Sequence, residues 1–343
     1  MTNLNRRALL KSGLAASTVL AAPAILRAQS AVELTVVHGS PNSHVISAGG
    51  VEPWMEKLTE LVGDAVSFRY YPAGQLAELR ALLPAVQSGV ADAVPIPIGY
   101  ASDKMPLNGV SMLPGIGSSA RSIIEAYAAE IEEGPLAREF EQNEVVPIWN
   151  MAYAPYQYVA TDGPILTAEG FGGKVIRSAG GSMNLAIQAL GGSPTEMPAG
   201  DIYVAMERGT VTATLSSFNT IEAYGVSELC DAASTNGSFG SFTNVFSISE
   251  RKWETIPADI QSAMMEAGAW TEGHVAGVLD GSEQELAESF AADGMELFEF
   301  PEDELTEIND RLAAVHEDWS ERLAERGLAA KEVLSSYRGR FAA

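Results

Sequence analysis

The chain has 343 residues, 45 of them acidic and 21 basic, so its formal net charge at pH 7 is −24. A surface this negative excludes nucleic acid as a partner, because the phosphate backbone would be repelled. Cys230 is the only cysteine, which excludes an intramolecular disulfide, and the four histidines do not have the spacing of metal ligands. We therefore expect neither a metal nor another cofactor.

Residues 1–30 have the pattern of a cleaved export signal. Adjacent Arg6 and Arg7 precede an apolar run, residues 12–26, which is too short to span a bilayer and ends at small residues around Ala28. The paired arginines are typical of the twin-arginine route, and an ordinary secretory signal is the alternative. Both signals predict a periplasmic protein without stable membrane insertion, and the acidic surface favours a monomer.

The remaining sequence alternates between strand-like and helix-like segments, which predicts an α/β fold. The strand-like segments are residues 33–38, 66–71, 145–150 and 156–161, and the helix-like segments include 51–62, 183–190 and 257–290. Pro155 separates two of the strands and predicts a crossover between sheets. The helix at 257–290 is long enough to run across two lobes, and the last helix has an apolar stripe from Leu305 to Leu323 that is typical of a core face.

A unit made of Pro-Ala-Gly, a helix, a glycine and a strand occurs twice. The first copy begins at Pro72 and the second at Pro198, and Gly89 or Gly209 is expected to take the left-handed conformation after the last helical turn. Two copies in the same order predict two equivalent α/β lobes. The predicted divisions are the signal at 1–30, a first lobe of 31–154 plus about 243–280, a second lobe of 155–242 plus about 281–325, and a C-terminal tail at 326–343.

Two motifs that could indicate an enzyme lack the context that each requires. Residues 115–120 match the glycine spacing of a dinucleotide fingerprint, but Pro114 interrupts it and no acidic residue ends the next strand. The start of a helix is the simpler interpretation. Residues 180–183 lack the second glycine of a nucleophile elbow, and no two carboxylates are placed for acid–base catalysis. We therefore expect a protein that is not an enzyme.

Arg177 is the strongest candidate for binding a ligand. It follows the strand-like Lys174-Val175-Ile176 and precedes a glycine-rich loop and a predicted helix. In open α/β folds, ligands collect at the carboxyl ends of strands, and the N–H groups at the start of a helix favour an anion. The planar guanidinium suits a carboxylate or sulfonate. Position alone leaves a surface salt bridge as the alternative.

Several short motifs in the chain are more informative in their order than any one of them is alone. They are the twin-arginine signal, Tyr71-Pro72-Ala73-Gly74-Gln75-Leu76, Gly170-Phe171-Gly172-Gly173-Lys174-Val175-Ile176-Arg177, Ala189-Leu190-Gly191-Gly192-Ser193-Pro194, Tyr203-Val204-Ala205-Met206-Glu207-Arg208-Gly209 and Trp253-Glu254-Thr255-Ile256-Pro257. In this order the chain resembles the substrate-binding proteins of tripartite ATP-independent periplasmic (TRAP) transporters over nearly its whole length after the signal.

The resemblance implies a two-lobed periplasmic binding protein fold with crossing strands and a long helix that spans both lobes. It also implies that Arg177 pairs with a carboxylate of the ligand, because this residue matches the end of the family's Lys-x-x-Arg run. The lobes would close around a small organic acid by a hinge motion. The closed form would then dock on a TRAP membrane permease driven by an ion gradient.

Two departures from the family pattern narrow the expected ligand. Many members have a second arginine near the position of Tyr156, and an Asp-Gly and an Asn-Pro where this chain has Thr212-Ala213 and Ser216-Ser217. We therefore expect a compact ligand with one carboxylate or sulfonate and an apolar or hydroxylated body. Further candidate binding residues are Trp149, Asn150, Tyr153, Tyr156, Ser178, Ser216, Phe218, Asn219, Phe239 and Phe242, joined by His38, Ser40 and Asn42 after the first strand.

Three other functions are compatible with an exported two-lobed protein. A receptor for an ATP-driven importer would share the fold and the compartment. An exported enzyme acting on an organic acid would form product, and a sensory module would signal through a membrane protein without uptake. Binding without turnover, together with loss of uptake on deletion, would favour the TRAP receptor.

Overall fold

The computed structural model describes residues 31–341, which build two β-sheets surrounded by helices. The predicted signal at 1–30 lies outside the described residues. The strands are β1 (Val32–Val37), β2 (Val66–Tyr71), β3 (Ala93–Pro97), β4 (Val145–Ala152), β5 (Gln157–Ala160), β6 (Val175–Ser178), β7 (Ser193–Glu196), β8 (Ala213–Ser216), β9 (Ala232–Ser234), β10 (Thr243–Ser249) and β11 (Glu296–Phe298). The helices are α1 (Glu52–Val62), α2 (Leu82–Ser88), α3 (Ala120–Glu133), α4 (Ala137–Gln142), α5 (Ser182–Ala189), α6 (Ile202–Glu207), α7 (Phe218–Ala223), α8 (Glu250–Trp253), α9 (Ala258–Ala292), α10 (Glu302–Glu325) and α11 (Ala330–Gly339).

Each lobe is organised around one sheet. The first sheet has the order β2-β1-β3-β10-β4, in which β1 is parallel to β2 and β3, and β10 runs antiparallel to β3 and β4. The second sheet has the order β11-β9-β5-β8-β6-β7, in which β5 runs antiparallel to β8 and β9. The two-lobed α/β fold predicted from the sequence is therefore confirmed.

The chain passes between the sheets three times, once through α9 and twice through two short crossings that lie side by side. It leaves β4 of the first sheet and enters β5 of the second through residues 153–156, and it returns from β9 to β10 through residues 235–242. Backbone hydrogen bonds join the crossings, from the Tyr156 N–H to the Gly240 carbonyl at 2.7 Å and from the Tyr153 N–H to the Phe242 carbonyl at 3.3 Å. The antiparallel strands β5 and β10 are thus the two that enter their sheets directly from these crossings.

Helix α9 runs along both lobes, as the resemblance implied. On the first lobe, its Glu272 accepts hydrogen bonds from the backbone N–H and the side-chain amide of Asn150, at 2.9 and 2.7 Å. On the second lobe, Ser282 donates to the Asn219 side chain at 3.1 Å, and Phe290 packs against Phe218 with ring centroids 5.6 Å apart. A helix of 35 residues spans about 50 Å at 1.5 Å per residue, enough to cover two domains.

The repeated Pro-Ala-Gly units fold as two turns followed by helices. Gly89 and Gly209 have φ angles of +79° and +66°, so both take the predicted left-handed conformation after α2 and α6. The helix of the first unit begins later than its sequence indicates. Ala73 and Gly74 both have positive φ, and the chain therefore turns before a 3₁₀ segment at Leu79–Ala81 leads into α2.

The predicted C-terminal tail at 326–343 contains helix α11, which packs on α3 and α10. Val333 and Tyr337 are fully buried, and a stripe of such residues at helical spacing ties this end of the chain to the body of the protein. The stripe predicted for α10 is confirmed, with Ile308, Leu312 and Leu323 buried. Within residues 31–341, no helix combines the length and the apolar character needed to cross a membrane.

Candidate functional site

A small cavity lies between the two lobes, next to the two crossings. Both sheets contribute to its walls, and its volume is about 30 Å³. The lining residues are Ser40, His44, Leu79, Pro97 and Tyr100 from the first lobe, Tyr153, Tyr156 and Phe242 from the crossings, Asn244 at the start of β10, and Arg177, Ala179, Ala199, Thr220 and Tyr224 from the second lobe. Ligand pockets of α/β proteins commonly lie at strand ends between lobes in this way.

Arg177 is the only cation in the lining of this cavity among the residues that the structure describes. Its side chain is 2 % exposed, and it is held by the second lobe itself: Nε and Nη2 donate to the carbonyl oxygen of Met197 at 3.0 and 2.9 Å. Nη2 also donates to the hydroxyl of Tyr100 at 3.1 Å. Within residues 31–341, Nη1 has no hydrogen-bond partner, so one end of the guanidinium is available for a ligand.

The charge of Arg177 is not balanced by the protein around it. Across residues 31–341, no carboxylate oxygen lies within 4.0 Å of its side-chain nitrogens, although the chain contains 45 acidic residues. Buried arginine is rare without an ion-pair partner, because removing a charge from water is costly. A ligand anion would supply the missing partner.

Aromatic side chains form most of the wall around Arg177. The rings of Tyr100 and Phe242 have centroids 5.1 Å apart, and those of Tyr153 and Tyr156 are 5.9 Å apart. These distances are typical of packed aromatic pairs, which present both ring faces and ring edges to a neighbouring group. Burial raises the pKa of the Tyr153 and Tyr156 hydroxyls well above their usual range, so both remain neutral donors.

His44 lines the cavity next to Tyr153 and is also neutral. Burial, assisted by the nearby His38, lowers its pKa to about 3. Its ring contacts both Tyr153 and Tyr224 edge-on, and its Nε2 lies 3.1 Å from the Tyr153 hydroxyl. Burial also raises the pKa of Tyr224 to about 12. The cavity therefore combines one permanent positive charge with neutral polar groups.

Four residues of the predicted site set come together in this cavity: Arg177, Tyr153, Tyr156 and Phe242. Ser40, named with the loop after β1, also lines it. These residues share a simple signal, since each lies at or just beyond a strand end or in a crossing. In α/β folds, ligands commonly bind at such positions.

Several other candidates are buried in the lobes, and the structure places them outside the cavity lining. Asn150 is fully buried against α9, where Glu272 accepts its hydrogen bonds. Trp149 stacks on Phe246 with centroids 5.2 Å apart, and Phe239 lies in the core beside Phe171. Polar and aromatic residues near strand ends are expected in a cleft, but these side chains point into packed interfaces.

The remaining candidates fix local backbone or pack elsewhere. The Ser178 hydroxyl accepts from the N–H of Gly180 at 2.9 Å and so shapes the glycine loop. Ser216 is fully buried at the end of β8, and Phe218 and Asn219 turn towards α9. His38 is buried against the Tyr70 hydroxyl at 2.6 Å, and Asn42 is exposed. None of these side chains is part of the cavity lining.

The predicted site omits His44, Tyr100, Thr220 and Tyr224, which line the cavity. Tyr100 follows β3 directly, so the strand-end rule could have found it. Thr220 and Tyr224 are four residues apart and share one face at α7, which sequence spacing alone does not orient towards the cleft. Residues 31–341 contain no group of three or more His, Cys, Asp or Glu side chains that could hold a metal ion.

Comparison with known proteins gives the family. The model of the bacterial extracellular solute-binding proteins, family 7 (DctP), matches residues 36–322. The chain belongs to this family. A relative described as a solute-binding protein, from Albidiferax ferrireducens, is 26 % identical over 285 residues, covering 78 % of this chain and 80 % of that protein. The ectoine-binding periplasmic protein TeaA of Halomonas elongata is 20 % identical, covering 78 % of this chain and 79 % of its own.

Solved structures of TRAP solute-binding proteins share the fold. A TRAP solute-binding protein from Rhodoferax ferrireducens T118, in complex with copurified benzoate, has a TM-score of 0.85 at 22 % identity and covers 91 % of this chain and 98 % of its own. A TRAP periplasmic solute-binding protein from Bordetella bronchiseptica, with bound mandelate, has a TM-score of 0.82 at 20 % identity. The match covers 90 % of this chain and 98 % of that protein. The resemblance to TRAP receptors that the motifs indicated is confirmed.

Proposed function

We propose that this protein is a periplasmic receptor that captures a compact organic acid with one carboxylate, preferably an aromatic one, and delivers it to a TRAP membrane permease. The observation that carries this proposal is the buried Arg177, whose charge has no carboxylate partner among residues 31–341 and whose Nη1 faces no protein acceptor there. A carboxylate bound at this end of the guanidinium forms charge-assisted hydrogen bonds in a site that excludes water.

The single cation supports a monoanion. A dicarboxylate would place a second negative charge against walls made of neutral groups, since the lining offers tyrosine, threonine, serine and asparagine side chains but only one positive charge. A second buried charge without a partner is strongly unfavourable.

The aromatic preference rests on the walls. Five phenylalanine and tyrosine rings, those of Tyr100, Tyr153, Tyr156, Tyr224 and Phe242, border the cavity. Aromatic walls bind a flat ring well because edge and face contacts add to the burial of apolar area. Solved family members carry benzoate, 3-hydroxybenzoate and mandelate, which are aromatic acids with one carboxylate.

Ligand entry requires the lobes to separate. The volume of about 30 Å³ is far below the roughly 150 Å³ of a protein cavity known to accept benzene, so an aromatic ring has to widen this space. The two hydrogen-bonded crossings are the covalent connections between the sheets, apart from the chain that passes through α9. We propose that they act as the hinge, because a few residues at element ends can absorb such a rotation.

The proposal is tested by isothermal titration calorimetry of the mature protein with benzoate, 3-hydroxybenzoate and mandelate, and with benzamide and benzyl alcohol as neutral analogues. We expect one-to-one binding of at least one acid and no measurable binding of its neutral analogue. Arg177→Ala should weaken that binding by at least about a hundredfold, because the ligand carboxylate then lies buried and unpaired.

Arg208→Ala is the matched control, since Arg208 is exposed in the same lobe and lies outside the cavity lining. It should leave the affinity within about twofold. Equal binding of acid and amide, or full affinity in the Arg177→Ala protein, would refute the assignment of the anion site. Formation of product during the titration would favour an enzyme instead.

A further inference from the structure

Which groups of the cavity wall can donate hydrogen bonds is set by contacts within the wall and with the residues packed against it. His44 is 4 % exposed, and its two ring nitrogens have different partners. The backbone N–H of Ile46 donates to Nδ1 at 3.2 Å, whereas Nε2 lies 3.1 Å from the hydroxyl oxygen of Tyr153. A backbone N–H can only donate, so Nδ1 has to be the acceptor and Nε2 has to carry the hydrogen of the neutral ring.

This tautomer determines what the Tyr153 hydroxyl can do. Since Nε2–H of His44 donates to the hydroxyl oxygen, the hydrogen of that hydroxyl is directed elsewhere, and Tyr153 lines the cavity. We infer that His44 is a positioning residue, held in one tautomer by Ile46, that makes Tyr153 a hydrogen-bond donor to the ligand. The inference deepens the proposed function and rests on it for the identity of the acceptor, a carboxylate oxygen.

Two other hydroxyls in the wall also have protein donors. The Tyr100 oxygen accepts from Arg177 Nη2 at 3.1 Å and from the Ala199 N–H at 3.0 Å. The Ser217 hydroxyl donates to Thr220 Oγ1 at 2.9 Å. Two protein donors occupy the lone pairs of the Tyr100 oxygen, so the hydrogen of Tyr100 is left for another acceptor, whereas the hydroxyl of Thr220 is directed at the neighbouring Tyr153 and Tyr156 hydroxyls.

The cavity wall therefore places neutral hydrogen-bond donors around a single cation, Arg177. A carboxylate has two oxygens and about four lone-pair positions, and when ionised it can only accept hydrogen bonds. The match explains how this chain can bind an acid with one arginine. Neutral hydroxyl donors, oriented by hydrogen bonds to other protein groups, supply the hydrogen bonds that a second cation would otherwise provide.

The tautomer of His44 can be observed without a ligand. In the ¹⁵N NMR spectrum of protein labelled at histidine, we expect one ring with a pyridine-like Nδ1 and a protonated Nε2, and we expect the His44→Gln protein to lack it. His274, which is partly exposed on α9, provides a reference ring in the same spectrum. Finding the Nδ1–H tautomer at His44 would overturn the inference, whatever the protein binds.

The coupling of His44 to Tyr153 is tested with a double-mutant cycle on benzoate affinity, measured by calorimetry. Tyr153→Phe should weaken binding by about tenfold or more, because a buried ligand oxygen loses its donor. His44→Phe should give a similar loss, and His44→Gln, whose amide can still donate to Tyr153, should recover most of it. In the Tyr153→Phe background, His44→Phe should cause no further loss.

Additive losses in the cycle would mean that His44 only supports the fold, and would overturn the positioning role. Thermal unfolding of each variant shows whether it is folded at the temperature of the titration. If His44→Phe does not fold, the spectrum of the wild-type protein and the Tyr153→Phe and His44→Gln titrations still decide. Failure of every acid to bind the wild-type protein would instead refute the proposed function and leave the tautomer to the spectrum alone.

Discussion

The hydroxyl oxygen of Tyr100 lies 3.1 Å from Nη2 of Arg177, and the two residues belong to opposite lobes. The same oxygen accepts from the backbone N–H of Ala199, again in the second lobe, at 3.0 Å. One side chain of the first lobe thus contacts the buried guanidinium of Arg177 and the backbone of Ala199. The contact links the position of the lobes to the surroundings of the cation.

Tyr100→Phe should weaken binding of the cognate acid by roughly tenfold. The substitution removes one of the two acceptors of Nη2 and leaves the Ala199 N–H unpaired in the cleft. A buried donor without a partner costs about 1–3 kcal/mol. Calorimetry measures the change. Tyr203→Phe, a tyrosine of α6 outside the cavity lining, should leave the affinity unchanged, and an unchanged affinity in Tyr100→Phe would contradict the role of the contact.

Arg80 and Glu196 form a second link between the lobes, with Nη2 and Oε1 3.0 Å apart. Both side chains are more than a third exposed, so the pair is worth at most about 1 kcal/mol. Arg80→Ala should therefore raise the dissociation rate of the ligand by up to about fivefold, measured by stopped-flow fluorescence, with little change in thermal stability. The increase should shrink at about 1 M salt, where the Debye length is about 3 Å.

Arg69→Ala is the control for this link, because Arg69 pairs with Glu33 across β1 and β2 of one lobe at 3.1 Å and is similarly exposed. Removing it breaks a surface ion pair without touching the cleft. The same rise in dissociation rate in both variants would show that Arg80 does not act through the lobes.

Gly268 and Gly273 lie on the same helix, α9, and should respond oppositely to alanine. A Cβ at Gly268 would collide with the carbonyl oxygen of Ile148 in β4, so Gly268→Ala should lower the free energy of unfolding by about 1–3 kcal/mol. At Gly273 a Cβ meets nothing within 4 Å, and Gly273→Ala should raise the free energy of unfolding by up to about 1 kcal/mol through helix propensity. Urea denaturation measures both, and equal effects would contradict the close packing of α9 on β4.

Glu272 makes stability depend on pH. Burial raises its pKa from 4.5 to about 7, although hydrogen bonds from Asn150 oppose the shift. Between these values the unfolded chain has lost this proton and the folded chain has kept it, so stability from this group is complete below about pH 4.5 and falls as the pH rises to about 7. At about 1.4 kcal/mol per pKa unit, the loss is about 3 kcal/mol.

Glu272→Gln keeps an acceptor for Asn150 and removes the titration. The difference in the free energy of unfolding between wild type and variant, measured by urea denaturation from pH 4.5 to 7.5, should therefore change by about 3 kcal/mol in favour of the variant. Glu266→Gln, an exposed position on the same helix, should show no such trend. Parallel curves for wild type and Glu272→Gln would contradict the burial of this carboxyl.

The fold could be predicted wherever local chemistry decides it. Strand β2 occupies 66–71, as its alternating pattern indicates, and α3 begins directly after Ser119, which caps it. Gly89 and Gly209 have the left-handed conformation that glycine after a helix predicts. The start of α2 could not be predicted in this way, because the turn at Ala73 and Gly74 depends on contacts with the neighbouring loop, including the Ala73 N–H donating to the Ser40 carbonyl.

The site was only partly predictable, because strand ends locate a cleft but do not orient side chains within it. Arg177 and Tyr153 follow the rule, whereas Phe218 begins a helix and turns away to pack on Phe290. One turn of the same helix brings Thr220 and Tyr224 to the cavity. Which face of α7 meets the cleft is set by α9, more than 30 residues later in the sequence, and no local pattern carries that information.

The anchoring of Arg177 on the carbonyl oxygen of Met197 affects how efficiently a transporter can use this receptor. A guanidinium held by the backbone cannot swing out into solvent, so closing the lobes over it without an anion buries a whole uncompensated charge. Empty receptors are therefore biased against closure, and the negative charge of the cargo removes that bias. One anchored arginine would act as a cargo check, limiting the number of empty receptors that compete with loaded ones at the permease.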